Sequence, residues 1–153
     1  MKPILLALAV SLSHAAMGEE IGGVNTEWNL AASHRLVVEA YDDPKVEGVT
    51  CYVAMPQRGG LAGAFGVAEE TSDVSISCGR LGPIRVKEPL PRQEDAFRAH
   101  RSFFFKTLHV VRMVDSARNA LVYLTYTDKL VKGSPKNSVS VVAVDRSIPI
   151  PVK

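Results

Sequence analysis

The residues of this 153-residue chain that could do chemistry are two cysteines, a few dispersed histidines and two short carboxylate runs. Cys51 and Cys78 are too far apart for the C-x-x-C spacing of a redox pair, and zinc would require four suitable ligands. His34, His100 and His109 do not make the H-x-x-x-H face that presents two imidazoles to one metal. Ser102, His109 and Asp115 supply the residue types of a hydrolytic triad, but no G-x-S-x-G elbow accompanies them. Asp42, Asp43 and Glu47, or Glu69, Glu70 and Asp73, carry oxygen ligands for calcium; neither set follows the EF-hand loop, and turn or capping roles explain both. The expectation is therefore no metal, no cofactor and no catalytic residue, with enzymatic catalysis by dispersed polar residues as the alternative.

Three further features invite a binding reading. Gly59, Gly60, Gly63 and Gly66 lie in one short run, yet it lacks both the Lys-Ser/Thr ending of a P-loop and the G-x-G-x-x-G spacing, so it reads as a flexible connector. Phe103, Phe104 and Phe105 could floor an apolar pocket, although consecutive strand residues point to opposite faces and are more simply core. Arg112, Arg118, Lys136 and Asn137 are the candidate polar recognition residues, on loops and strand ends where binding groups are commonly carried.

These groups have to be positioned by a chain whose first 18 residues are read differently from the rest. Lys2 precedes an apolar run from Ile4, followed by small residues, which is secretory signal-peptide grammar. The run is about nine residues, against roughly 20 for a membrane-spanning helix. Small-x-small windows occur at Ser13-His14-Ala15 and Ala16-Met17-Gly18, and cleavage after Gly18 is preferred because it leaves the polar start Glu19-Glu20. The expected product is one exported domain over residues 19–153. An oxidising compartment favours a structural disulfide between Cys51 and Cys78.

Composition places that domain among globular proteins, with 46% hydrophobic and 22% charged residues. Charge is divided unevenly: residues 19–79 hold 3 basic and 10 acidic groups, a net of −7, whereas residues 80–153 hold 14 and 6, a net of +8. Lys/Arg runs are absent, so two halves that neutralise each other are expected rather than a nucleic-acid surface.

The elements expected to carry these residues are mostly strands. Leu36, Val38 and Ala40 alternate before Asp42-Asp43-Pro44 stops the run, and Val49, Cys51, Val53 and Met55 repeat the pattern. Val74, Ile76 and Cys78 share one face, which places both cysteines in inward-facing series. Residues 87–101 read as a loop with one short helix around Arg92 to Ala99. Ser102 to Val114 reads as a long central strand buried on both faces over part of its length. Asp115 to Asn119 turns it into a hairpin with Ala120 to Thr127, Ser138 to Val144 forms a last strand, and the Pro149 and Pro151 tail is expected to fray. About six strands with one short helix predict an antiparallel β-sandwich or barrel.

One family shares these features. Val37-Val38-Glu39-Ala40-Tyr41-Asp42-Asp43-Pro44, Val49-Thr50-Cys51-Tyr52-Val53, Ala68-Glu69-Glu70-Thr71-Ser72-Asp73, Ile76-Ser77-Cys78, Arg118-Asn119-Ala120-Leu121-Val122-Tyr123-Leu124 and Gly133-Ser134-Pro135-Lys136-Asn137 together resemble the CreA family of small exported bacterial proteins. The likeness runs through nearly the whole mature chain and weakens after Val144. It implies a periplasmic location and a name linked to a carbon-source-responsive operon, with no activity and no catalytic residue to carry over. A binding or envelope-associated module is the expected function, its partner an envelope protein or a small ligand; a periplasmic small-molecule carrier is a further alternative. Neither nucleic acid nor a membrane span is expected.

Overall fold

The computed structural model describes residues 18–28, 33–59, 74–100, 107–128 and 136–153. Eight strands occur among them: β1 (Glu19–Trp28), β2 (Ser33–Asp42), β3 (Val46–Gly59), β4 (Ser75–Val86), β5 (Gln93–His100), β6 (Thr107–Asp115), β7 (Ala120–Thr127) and β8 (Asn137–Ala143). They form two four-stranded antiparallel sheets, β1-β2-β3-β4 and β5-β6-β7-β8, each in simple chain order. Alternation decides which side chains enter the space between the sheets. Val37, Tyr41, Cys51, Val53 and Ile76 come from the first sheet, and Phe97, Leu108, Val110, Leu121, Tyr123 and Val142 from the second, in one continuous core.

The inward-facing cysteine series is borne out. Cys51 and Cys78 are direct cross-strand partners on β3 and β4, 3.9 Å apart at Cα, and they form a disulfide. β6 is buried from Thr107 through Arg112 on both faces, as a central strand should be, while residues 102–106 of the expected strand lie outside the described residues.

Three expectations are corrected. Residues 93–100 form strand β5 and no helix; a bulge between Asp95 and Phe97 shifts the side-chain parity, which hides the two-residue period from a reading of the sequence. β1 was not anticipated, because its pairing slips at Glu20/Gly22 and again at Asn25/Glu27, so its alternation is broken twice. Such irregularity suits an edge strand, where it discourages pairing with another chain.

The C-terminal tail is the third correction. Leu90 and Val152 form a parallel bridge, with the Leu90 amide donating to the Pro151 carbonyl and the Lys153 amide to the Leu90 carbonyl, both at 2.9 Å. Asn119, in the β6-β7 turn at φ 52°, donates through Nδ2 to the carbonyls of Val144, Asp145 and Ile148 and accepts from the Ile150 amide. Leu90 and Ile150 are thereby buried, which holds the proline-rich end against the core.

The sandwich is closed along one side by hydroxyls rather than by a strand ladder. The Cys78 amide of β4 donates to Ser140 Oγ of β8 at 2.8 Å, and the Ile76 amide to Ser138 Oγ at 3.4 Å. The edges β1 and β5 lie on the opposite side.

Candidate functional site

Buried charge concentrates where the β2-β3 turn meets the second sheet. Asp43 follows the last residue of β2, and its Oδ1 accepts the amides of Lys45 and Val46 at 2.8 and 3.0 Å, the local bonding by which aspartate closes a turn. The same carboxylate points into the core. Arg112 Nη1, from β6, donates to Oδ1 and Oδ2 at 2.5 and 2.6 Å, and the Tyr123 hydroxyl of β7 donates to Oδ2 at 2.7 Å. Arg112 and Tyr123 are register neighbours on the inner face, so one pair of adjacent strands presents both groups to Asp43.

The network continues outward. Arg112 Nη2 donates to Glu94 of β5, whose other oxygen accepts from Lys45 Nζ at 2.8 Å, and Lys45 also meets Glu88 at 2.9 Å. Side-chain exposure rises along this path from 0% at Asp43 and 1% at Arg112 to 21% at Glu94 and 48% at Glu88. Burial by itself depresses the Arg112 pKa, but the Asp43 charge and hydrogen bond outweigh it and raise it, so the guanidinium stays ionised. Burial, reinforced by Asp43, pushes the Tyr123 phenol above its ordinary range and keeps it a neutral donor. Hydrogen bonds to Glu94 and then Glu88 raise the Lys45 pKa, and the bond to Lys45 lowers that of Glu88. Within this network Arg112 Nε is buried without a partner, and the remaining charged and hydroxyl groups are bonded to one another.

A second polar contact lies on the outer face of the second sheet. His109 Nε2 is 2.9 Å from Asp128 Oδ1, and its ring stacks on Tyr126 at 4.7 Å and 6°. His109 and Asp115 sit six residues apart on β6, about 20 Å in an extended strand, and Asp115 is paired with Arg118. They are not one catalytic set, and Ser102 lies outside the described residues.

The four candidate recognition residues are not brought together. Arg112 is internal, whereas Arg118 is exposed in the β6-β7 turn. Asn137 begins β8, opposite Tyr126 at the other end of β7, and Lys136 immediately precedes it. Sequence reading missed Asp43, Glu94 and Tyr123 as partners of Arg112. The available signal was parity: Arg112 falls in the same inward series as Val110 and Val114, and a core-facing arginine demands a carboxylate.

Of the carboxylate runs, Asp42 accepts from Thr50 Oγ1 at 2.6 Å and Glu47 pairs with Arg85 at 2.5 Å, while residues 69–73 are not among those described. Among the described residues no three His, Cys, Asp or Glu are placed to share a metal ion, and no helix is long and apolar enough to cross a membrane. The Gly60 to Gly66 run and Phe103 to Phe105 also fall outside the described residues. A shallow hollow of about 520 Å³ lies between β4 and the C-terminal tail, lined by Arg80, Pro83, Ile84, Asp145 and Ile148.

The family described as CreA protein matches residues 21–147. The chain belongs to the CreA family. Protein CreA of Escherichia coli strain K12 is 47% identical over 149 residues, covering 94% of this chain and 95% of the relative, and Protein CreA of Escherichia coli O157:H7 matches to the same extent. No solved structure matches the chain. In this member of the CreA family the family-like segments supply key parts of the geometry: Asp43 closes the turn, Tyr123 caps its carboxylate, Asn119 ties down the tail, and both cysteines bond.

Proposed function

We propose that this CreA-family chain is a periplasmic, non-catalytic binding module that docks an envelope protein on the outer face of β6, β7 and β8. One observation carries the reading. Val139 and Val141 project from β8 at 59% and 58% exposure, and their register neighbours Leu124, Val122 and Met113 extend the stripe across the sheet. Exposed apolar side chains that are contiguous, rather than scattered singly, mark interaction surfaces. The charged interior points the same way, because Asp43 already accepts from two backbone amides, one arginine and one tyrosine. A sheet face of this kind favours a protein partner over a small molecule, since small ligands are held in concave sites that bury most of their surface. Export agrees with the leader-like first 18 residues and with the disulfide.

Photo-crosslinking in intact cells tests it. A crosslinking side chain at position 139 or 141 should capture one defined envelope protein that the same group at exposed Gln57 does not, and Val122→Asp should abolish the capture. Equal capture at 139, 141 and 57 would sink the docking surface. Isolation of an unprocessed chain beginning at Met1 would sink the export part separately.

A further inference from the structure

The hollow between β4 and the C-terminal tail carries two opposite charges that do not meet. Arg80 of β4 is exposed, and among the described residues its guanidinium makes no ion pair and donates no hydrogen bond. Asp145, on the tail side, accepts the Ser147 amide at 2.8 Å and the Ser147 hydroxyl at 2.7 Å, both through Oδ1, while Oδ2 takes no bond among the described residues. The Ser147 amide and then its hydroxyl hold the Asp145 pKa down, and the charge of Arg80 adds to them from across the hollow. Pro83, Ile84 and Ile148 supply an apolar lining between the two charges, and Ile148 is 41% exposed.

Both walls are fixed in place. Val49 pairs with Arg80 and Glu47 with Arg85, so Leu81 to Ile84 make an excursion of β4 opposite the single residue Gly48. Gly48 lies at φ 80°, and a Cβ there would fall 2.4 Å from the Pro83 carbonyl oxygen, so glycine is what lets β3 approach the excursion. On the other wall Asn119, at φ 52°, holds the carbonyls of Asp145 and Ile148 at 2.9 and 3.1 Å, and the Ile148 amide donates to the Asp145 carbonyl. Gly48 and Asn119 are the two positive-φ residues among those described, and each braces one wall. Backbone held in such regions is a feature of ligand clamps.

The volume, about 520 Å³, falls within the roughly 300 to 1,000 Å³ of small-ligand sites. A ligand with a single charge would satisfy one of the two groups and be repelled by the other, and a neutral apolar one would use neither. A ligand with both charges and an apolar group matches the cation, the anion and the lining together. We propose that the hollow binds a small zwitterion with an apolar side chain, a free amino acid or a dipeptide. Its carboxylate meets Arg80, its ammonium meets Asp145 Oδ2, and its side chain lies on Pro83, Ile84 and Ile148. The site is separate from the docking face of β6, β7 and β8, and neither reading depends on the other.

Backbone amide NMR of the isotopically labelled protein tests it. Leucine and dileucine are titrated, each beside its C-terminal amide, which lacks the carboxylate, and its deaminated analogue, which lacks the ammonium. At least one zwitterion should shift the amides of Ile84, Ser147 and Ile148 saturably, and each analogue should bind about fivefold more weakly. Arg80→Met should abolish the preference over the amide. Asp145→Asn, which can still accept from Ser147, should abolish the preference over the deaminated analogue. Both side chains are exposed, so both variants keep the fold. Saturation by leucine assigns a free amino acid, and saturation by dileucine alone assigns a peptide. No saturable shift with either, equal binding of zwitterion and analogues, or a preference that survives its substitution overturns the proposal.

Discussion

Arg112 and Arg118 are six residues apart on one hairpin, and each faces an aspartate. Arg112 Nη1 meets Asp43 at 2.5 Å with side-chain exposures of 1% and 0%, whereas Arg118 meets Asp115 at 2.9 Å with 78% and 27%. The first pair is walled by apolar strands and reinforced by Tyr123 and two backbone amides. The second spans three residues of a turn in water. Equal chemistry therefore has unequal consequences: in the core, loss of one charge strands the other without solvent, while at the surface water replaces either partner.

Substitution can break this contrast at its strong end first. Arg112→Ala should destabilise the protein by about 3 to 5 kcal/mol, because Asp43 and Glu94 lose their shared cation inside the fold. Urea denaturation reads this directly, and a loss no larger than that of a surface substitution would mean that Asp43 is hydrated. Removing the disulfide should come next. Cys51→Ala with Cys78→Ala releases a bridge spanning 27 positions, worth about 3 to 4 kcal/mol in the loop-entropy model; an unchanged thermal midpoint would remove its structural role.

The weak end gives the smallest effect. Arg118→Ala should shift the thermal midpoint at pH 7 by less than about 2 °C. Its pH dependence has a definite sign. A side-chain hydrogen bond from Arg118 lowers the Asp115 pKa, so the pair's contribution is complete above about pH 4 and is lost as pH falls through the folded value. Comparing midpoints at pH 7 and pH 3 should therefore show a slightly smaller difference in Arg118→Ala than in the native chain. The opposite order would show that the turn pair is not formed in solution.

Legibility followed local regularity. Val49, Cys51, Val53 and Met55 alternate without interruption, and all four are buried as their period demands. β5 has the same backbone geometry but one bulge, and Glu94 faces inward because it serves Arg112 and Lys45, so its polar pattern reads as loop. The Pro149 and Pro151 tail looks loose for a related reason: its anchors are Asn119 and Leu90, distant in sequence, and the prolines leave no periodic signal.

The site divides in the same way. That Arg112 faces the core is implied by its spacing from Val110 and Val114, but its carboxylate lies 69 residues away. The amino-acid sequence by itself determined the family, the strand alternation and the inward direction of both cysteines, because these depend on residue identity and a two-residue period. Tertiary structure alone decided that Asp43, Glu94 and Tyr123 converge on Arg112 and that serine hydroxyls close one side of the sandwich. Those contacts join residues from separate strands, and what selects them is the mutual burial of two sheets rather than any preference of the local chain.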